Sequence, residues 1–518
     1  MPLTQGLQRA LQQRPNGSAT VFAGRRQTFA QYADRVARLA GALQRLGIRR
    51  GERIAILAHN SDRYAECFMA AWWIGAVANP VNTRWSAAEV AYSLNDSASS
   101  VLLADDACLA LAAAMPQQAP SLRALIHFGE AARPEGVADY EALLRAAEPV
   151  EDLRCGGDEL AVICYTGGTT GAPKGVMLSH GNLWSSAIAR LAEAPVGADG
   201  TALQVAPLFH VAGLGGLVTQ TIVGACNVFL PSFNAQAVME CIERERVTQV
   251  VLVPTMVQML LDHPAFGRYR LDSLKRIIYG ASPISETLLE RALQALPGVD
   301  FMQSYGMTEA APVVAMNPAQ NHTAEGRLKG KLRAAGKAAF SVEIRIVDAG
   351  GDEVPRRTVG EVAVRGPNIM QGYWNKPEET AAALRGGWLH TGDGAWMDED
   401  GYIHIVDRMK DMIISGGENV YSAEVENAIS RHPAVAACAA IGIPSAEWGE
   451  SVHAAIVLKA GMQATAEEIQ IHCRALIAGY KCPKSVEFRS ELPLSAAGKV
   501  LKTALREPYW KDRQRAVG

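Results

Sequence analysis

Tyr165-Thr-Gly-Gly-Thr-Thr-Gly-Ala-Pro-Lys-Gly175 follows an apolar, strand-like run at 160–164 and gathers phosphate-binding groups into one short loop. Its glycines, Gly167, Gly168, Gly171 and Gly175, let backbone N–H groups approach an anion closely. Thr166, Thr169 and Thr170 add hydroxyl donors, and Lys174 adds a compact positive charge. Such a loop suits the phosphates of ATP. It is not a Walker A loop, which needs two glycines four residues apart and then Lys-Ser/Thr opening a helix; here Pro173 precedes Lys174 and Gly175 follows it. Taken alone, the segment reads better as a Gly/Thr turn between two strands.

Other segments decide between those readings. Tyr305-Gly-Met-Thr-Glu309 follows a strand-like stretch at 300–303, and Thr391-Gly-Asp393 stands further on. Asp407-Arg-Met-Lys-Asp-Met-Ile-Ile-Ser-Gly-Gly-Glu-Asn-Val-Tyr421 and Pro493-Leu-Ser-Ala-Ala-Gly-Lys499 complete the series. In order and separation these motifs resemble the signatures of the adenylate-forming superfamily, which covers acyl-CoA synthetases, peptide-synthetase adenylation domains and firefly luciferases. The resemblance spans about residues 10–510. Its loop usually reads Tyr-Thr-Ser-Gly-Thr-Thr-Gly-x-Pro-Lys-Gly, so Gly167 replaces a serine and removes one hydroxyl.

The resemblance implies a role for each motif. Thr166, Gly167, Gly168, Thr169, Thr170, Gly171 and Lys174 would hold the triphosphate of ATP, and Gly280, Ala281, Ser282, Tyr305, Gly306 and Thr308 would border the nucleotide, with Tyr305 stacked on adenine. Glu309 would bind Mg²⁺, an ion that takes one or two protein carboxylates together with phosphate and water oxygens. Asp393 would accept hydrogen bonds from the ribose hydroxyls, with Arg408 beside it. Lys410 would mark a hinge, and Lys499 would bridge the attacking carboxylate and the α-phosphate as negative charge grows there. The expected catalytic residues are thus Lys499, Glu309 and His210.

A carboxylate is a poor electrophile, so such an enzyme first makes acyl-AMP, releasing pyrophosphate, and a thiol then displaces AMP. Residues 500–518 leave no room for a carrier module, which favours free coenzyme A as acceptor; the last three residues are not the peroxisomal tripeptide of luciferases. By resemblance the CoA contacts are Arg84, Gly416, Gly417, Trp448, Tyr480 and Lys484; Cys482 replaces one basic residue of the 4-chlorobenzoate CoA ligase pattern, and Lys481 is its expected substitute. Phe209 and His210 in Pro207-Leu-Phe-His210, with Gly213, Gly280, Ala310, Ala311 and Pro312, would line the acyl pocket, and the 213–216 glycines would leave space there. These are small or apolar, so a hydrophobic acid is expected: a medium- or long-chain fatty acid first, a coumarate- or benzoate-type aryl acid second. The pocket segments carry no adjacent arginine, which disfavours a second carboxylate, although Arg276 lies shortly before Gly280. A stand-alone acyl carrier protein ligase and a nucleotide-binding relative without catalysis are the competing classes.

Length and composition agree. At 518 residues the chain needs roughly three structural units at about 150 residues each. Lys+Arg 50 against Asp+Glu 53 gives a formal net charge of −3, with no basic tract for nucleic acid. Nine cysteines without a Cys-x-x-Cys pair suit reduced thiols and a cytoplasmic location; no signal peptide is read at the N-terminus. The most apolar segments, 67–81 and 212–231, are too short or too polar to span a bilayer, leaving peripheral association open. Oligomeric state is open too, a homodimer included.

Alternating apolar runs and helix-like patterns over 52–278 predict an α/β fold with largely parallel sheets. A helix is expected over 235–247, and paired strands over 342–347 and 361–365. A closing α+β module is expected with helices at 422–429 and after Thr465-Ala-Glu-Glu468, a capping box. The expected organisation is an N-terminal adenylation domain at 1–406, with a β subdomain at about 330–406, a hinge at 407–410 and a mobile C-terminal domain at 411–518.

Overall fold

Short β-rich apolar runs separated by amphipathic helices assemble two large sheets with parallel interiors, one antiparallel at a single edge and the other at both. A computed structural model describes residues 1–166, 173–282, 284–409, 411–416, 418–495 and 498–511. Among these, an eight-stranded sheet centres on Arg53–Leu57, Val77–Pro80, Ser99–Ala104 and Leu160–Thr166. A nine-stranded sheet runs through Thr201–Gln204, Gln249–Leu252, Arg276–Gly280 and Asp300–Gly306, all parallel neighbours, and then turns antiparallel at Val313–Asn317. The apolar runs at 54–57, 101–104, 160–164 and 277–279 fall within these strands, and the run at 250–253 ends one residue past Gln249–Leu252.

Helices Phe29–Arg45, Asp62–Trp73, His180–Glu193 and Val211–Val223 lie between the two sheets in one continuous core, which includes Ile54, Leu103 and Val162 on one side and Ile278 and Met302 on the other. That location explains the two membrane-like segments: both fill this interior layer. Among the described residues no helix is long and apolar enough to cross a membrane. A second core covers the outer face of the nine-stranded sheet with helices Ala235–Glu245, Pro254–Asp262 and Glu286–Ala295.

Glu343–Val347 and Gly360–Arg365 pair antiparallel, as expected, and join Trp388–Met397 and Ile403–Arg408 in a five-stranded sheet. Lys337–Ala338 belongs instead to the edge of the nine-stranded sheet. The last sheet, also five-stranded, packs helices Ser422–Ser430 and Ala466–Arg474 on one face and Lys502–Trp510 on the other. The capping box read at Thr465 is present, with Thr465 Oγ1 accepting from Glu468 N at 3.2 Å and the Glu468 carboxylate accepting from Thr465 N at 2.7 Å. All nine cysteines are free thiols, and eight of them are buried.

Two buried amides stitch the five-stranded sheet to the interior. Asn182 donates to Pro367 O and Ile369 O, both at 2.8 Å. Asn368 donates to Ala310 O at 2.9 Å and Val313 O at 2.8 Å, holding the loop that carries Glu309. Asn368→Ala leaves two buried carbonyls without a donor and is expected to lower unfolding free energy by about 3 kcal/mol, read from the first urea transition. A change below about 0.5 kcal/mol would show that these bonds are not structural.

Candidate functional site

The phosphate loop connects two antiparallel strands, Leu160–Thr166 and Lys174–Ser179, in the register Thr166↔Lys174. This is a hairpin connection rather than a strand-to-helix P-loop, in keeping with the motif's departure from Walker A. Gly167, Gly168, Thr169, Thr170 and Gly171 lie outside the described residues, as do Lys410 and Gly417. Thr166 and Lys174 bracket the loop, Thr166 Oγ1 lying 3.4 Å from Lys174 O. The Lys174 ammonium sits 5.0 Å from the centre of the Tyr373 ring. Tyr373 in turn donates to Glu309 Oε1 at 2.9 Å.

Glu309 lies in the short 3-10 turn Thr308–Ala310, directly after Asp300–Gly306, and is buried. Tyr305, from the same strand, donates to Asp393 Oδ2 at 2.7 Å. Arg408 faces Asp393 across the antiparallel pair Trp388–Met397 and Ile403–Arg408, with Nε 2.8 Å from Asp393 Oδ1. The Asp393 charge holds the Arg408 guanidinium more firmly protonated, while burial and that same carboxylate push the Tyr305 phenol well up. Tyr305, Asp393 and Arg408 therefore form one hydrogen-bonded group, and Glu309, bonded to Tyr373, lies close enough for its charge to act on Arg408.

Lys499 reaches this cluster from the last sheet. Ser495 N donates to Lys499 O at 2.7 Å and Lys499 N donates to Ser495 Oγ at 3.1 Å. Arg84 Nη1 donates to Ser495 O at 3.2 Å, and Thr255 Oγ1 lies 3.5 Å from Gly498 O, so the loop is seated on the larger part of the molecule. Gly498 has φ +74°, and a Cβ there would meet Thr255 Oγ1 at 2.9 Å; both the backbone and the docking surface require glycine. Burial and Arg408 lower the Lys499 pKa, opposed by Asp393 and Glu309.

His210 caps the helix Val211–Val223, packs against Phe209 with ring centres 4.6 Å apart, and keeps its buried Nε2 without a hydrogen-bond partner. Burial, with help from Lys499 and Arg84, pushes its pKa down to about 4, so the imidazole is neutral at physiological pH. Ala310 and Ala311 are fully buried, while Pro312 reaches the same helix: a Cβ on Gly215 would lie 3.0 Å from Pro312 Cδ.

The glycines do not leave the open space expected of them. A Cβ on Gly213 would lie 2.3 Å from Pro207 O, on Gly216 3.0 Å from Gln204 Oε1, and on Gly280 2.1 Å from Ser304 O. They permit close contact of the helix with neighbouring chain, and of two parallel strands with each other. Gly306 is tighter still, at 1.7 Å from Pro312 O. Ala281 and Ser282 follow Gly280 at the strand end, with Ala281 at φ +67°. Arg276 lies at the opposite, starting end of that strand, where Nη1 donates to Pro195 O at 2.9 Å.

The CoA candidates among the described residues are all exposed. Arg84 is exposed beside the Lys499 loop. Gly416 N donates to Trp448 O at 2.9 Å, and a Cβ on Gly416 would lie 2.7 Å from the indole, so these two form one exposed corner. Tyr480 and Lys484 are exposed too, and the strand after Lys484, Ser485–Phe488, pairs with the same strand, Gly449–Leu458, as Ile413–Ser415 does. Lys481 does not stand in for the residue replaced by Cys482: its ammonium contacts both Glu424 carboxylate oxygens at 2.8 Å.

Two residues escaped the sequence reading. Tyr373 stands in the run Gly372-Tyr-Trp374 between two signatures, an aromatic pair behind a glycine that marks the strand Gly372–Tyr373. Arg190 is a charge on the otherwise buried stripe Leu183, Ser186, Ala187 of the helix His180–Glu193, at a spacing that turns it inward.

Comparison with known proteins follows this geometry. The AMP-binding enzyme family model matches residues 7–374, and the model of the AMP-binding enzyme C-terminal domain matches residues 424–499. The chain is 41% identical over 497 residues to a feruloyl-CoA synthase of Amycolatopsis sp, covering 96% of each chain. It is 35% identical over 494 residues to a long-chain-fatty-acid–CoA ligase of Mycobacterium tuberculosis, covering 93% of each. The solved structure of an anthranilate CoA ligase in complex with anthranoyl-AMP superposes with a TM-score of 0.91 at 28% identity, covering 98% of this chain and 97% of the other.

The buried imidazole provides a direct check on the geometry. With its pKa near 4, His210 is expected to show no proton uptake between about pH 5.5 and 8 in NMR of labelled histidine. A midpoint above about 6 would mean that the ring is solvated or paired with an anion.

Proposed function

The chain belongs to the AMP-binding enzyme family, in its acyl-CoA synthetase branch, and is an AMP-forming acid–thiol ligase; on that premise we propose that it joins a hydrophobic, aryl-type carboxylic acid to coenzyme A through an acyl-adenylate. The observation that carries this reading is the meeting of Lys499 with Arg408, Asp393 and Glu309, charges delivered by three different sheets.

In the first half-reaction a carboxylate oxygen attacks the α-phosphorus, a P–O bond forms, and the bond to pyrophosphate breaks. Negative charge concentrates on the α-phosphoryl oxygens, and the Lys499 ammonium is positioned to offset it. The Asp393 carboxylate suits the ribose hydroxyls, with Arg408 and Tyr305 fixing its orientation. Glu309 is a hard oxygen donor, buried and oriented by Tyr373, which fits Mg²⁺; the ion would neutralise phosphate charge. Lys174, held beside Tyr373 at the end of the hairpin, is placed for the same phosphates. Neutral His210 adds no positive charge beside the acid.

In the second half-reaction the CoA sulfur attacks the acyl carbon, the bond to AMP breaks, and the thiol proton is lost. We assign the large unit to 1–406, with the β subdomain at about 330–406, the hinge to 407–410 and the mobile unit to 411–518. Rotation about the hinge would withdraw Lys499 and bring Gly416, Trp448, Tyr480 and Lys484 toward Arg84. The feruloyl-CoA synthase and anthranilate CoA ligase similarities support an aryl acid. The similarity to a long-chain-fatty-acid–CoA ligase supports a fatty acid as the second reading.

Incubation with ATP, Mg²⁺, CoA and octanoate, palmitate, 4-coumarate, ferulate, benzoate or malonate, following AMP and free thiol together, tests both readings. Product from aryl acids supports the first, and product from fatty acids alone the second. AMP only when a carrier protein replaces CoA changes the acceptor, and no AMP from any acid contradicts the ligase reading. Lys499→Ala is expected to slow acyl-adenylate formation by about 10²- to 10³-fold. It should slow thioester formation from supplied acyl-AMP by less than about 10-fold.

The lowered Lys499 pKa sets the sign of the pH response. The needed cation is lost as pH rises, and is lost below the pH of about 10.4 at which an ordinary lysine titrates. Adenylate formation should therefore fall on the alkaline side, and Lys499→Arg should remove that limb even at a reduced rate. A wild-type limb unchanged by Lys499→Arg would place the titrating group elsewhere.

A further inference from the structure

The eight-stranded sheet contains a point where its winding reverses. Strand Arg53–Leu57 lies between Val77–Pro80 and Ser99–Ala104, all three parallel. From Arg53–Leu57 the chain passes through helix Asp62–Trp73, in the core between the two large sheets, to Val77–Pro80 on one side. From Ser99–Ala104 it passes through helix Leu109–Ala113 to Ala124–His127 on the other side, over a separate core that includes Cys108 and Ala112. Two adjacent parallel strands whose chains depart in opposite directions open a crevice at their carboxyl ends, the place where open α/β sheets bind ligands. Leu57 pairs with Ala104, so His59 and Asp105 stand side by side just beyond those ends. Neither belongs to the reacting cluster.

Three side chains of different ligand type meet in this crevice. His59, Asp105 and Cys108 each offer one atom, and these atoms all lie within 4.8 Å of one another. His59 Nδ1 lies 3.1 Å from Asp105 Oδ2. The carboxylate is held in place by backbone: His59 N donates to Oδ2 at 2.8 Å and Cys108 N to Oδ1 at 2.9 Å. A carboxylate has about four lone-pair sites, and those two amides take two. The hydrogens of His59 Nδ1 and the Cys108 thiol are aimed at the rest. Burial first, then the Asp105 charge and its hydrogen bond, keep that thiol protonated.

Two hydrogens converging on one carboxylate fill the place of a divalent cation. The donor set names the metal: imidazole, carboxylate and thiolate suit Zn²⁺, whereas Mg²⁺ takes oxygen ligands and has no use for sulfur. Around tetrahedral zinc such ligand atoms stand about 3.4–3.6 Å apart, so the gap left to close is on the order of 1 Å. The His59 side chain is 36% exposed, which leaves it room to turn and leaves solvent a way in. We propose that His59, Asp105 and Cys108 form a zinc site at this switch point, with water in the fourth position. Binding forms the Zn–S bond, releases the thiol proton to solvent and leaves the imidazole hydrogen on Nε2. The carboxylate and thiolate then neutralise the ion, outweighing Arg84, the cation that acts on His59. Zinc binding there is independent of which acid the enzyme activates.

The test uses the full chain, stripped with a chelator and kept in excess Mg²⁺, titrated with Zn²⁺ by calorimetry and with Co²⁺ by absorption spectroscopy. A single ion per chain is expected, with Co²⁺ giving the near-ultraviolet charge-transfer band of a metal–thiolate bond. Cys108→Ser should abolish that band. His59→Gln should keep it but weaken Zn²⁺ binding by at least about 10-fold, the least that loss of a supporting group costs a metal site. Absence of a thiolate band in the wild type overturns the site, even where heat is released, since the His432–His472 pair, with ring centres 5.2 Å apart, could hold an ion without sulfur. A band that survives in Cys108→Ser belongs to another cysteine and overturns it as well. Should Cys108→Ser not fold, His59→Gln decides, its side chain being part-exposed: unchanged Zn²⁺ affinity in that variant rejects the site.

Discussion

Two cations, Arg408 and Lys499, share one pocket with two carboxylates, Asp393 and Glu309, and the architecture exists to bring them together. Arg408 and Lys499 repel each other and Lys499 loses hydration, so its charge is tolerable only with both carboxylates near. Three of the four sheets contribute: Glu309 follows a strand of the nine-stranded sheet, Asp393 and Arg408 face each other in the smaller sheet, and Lys499 arrives on the loop beside the last one. The amides of Asn182 and Asn368 hold the smaller sheet against the larger one at the point where this alignment matters.

Much of this was legible in the sequence because the relevant signals are local. The capping box at Thr465 needs only residues three apart, and the alternating strands around 343–365 declare their own pairing. The nucleotide-side motifs are short, and Tyr305, Asp393, Arg408 and Lys499 converge as their order implied. Non-local packing was illegible. Gly213 and Gly216 read as space because glycine lacks a side chain, yet each is met by chain from elsewhere, Pro207 and Gln204. Lys481 read as a free cation because its partner Glu424 is 57 residues away.

Tyr373 and Arg190 show two degrees of this blindness. Tyr373 matters through Glu309, 64 positions earlier, a contact no spacing rule would propose. Arg190 carried a local signal, since its helical phase matches a buried stripe, but a charge at such a position is read as solvated unless its phase is counted. Its surroundings, Gln220 on another helix and Gln249 on a strand, required the fold.

The strands of the nine-stranded sheet have two ends with separate occupations. Gly280 and Ser304 lie at the reacting end, Gln249, Arg276 and Asp300 at the other, with an apolar level between. Side chains at the strand starts can therefore be exchanged without displacing any atom of the charge cluster, because the rigid ladder between them transmits little of the change. A scaffold built this way can vary the starts of its strands while inheriting its chemistry intact.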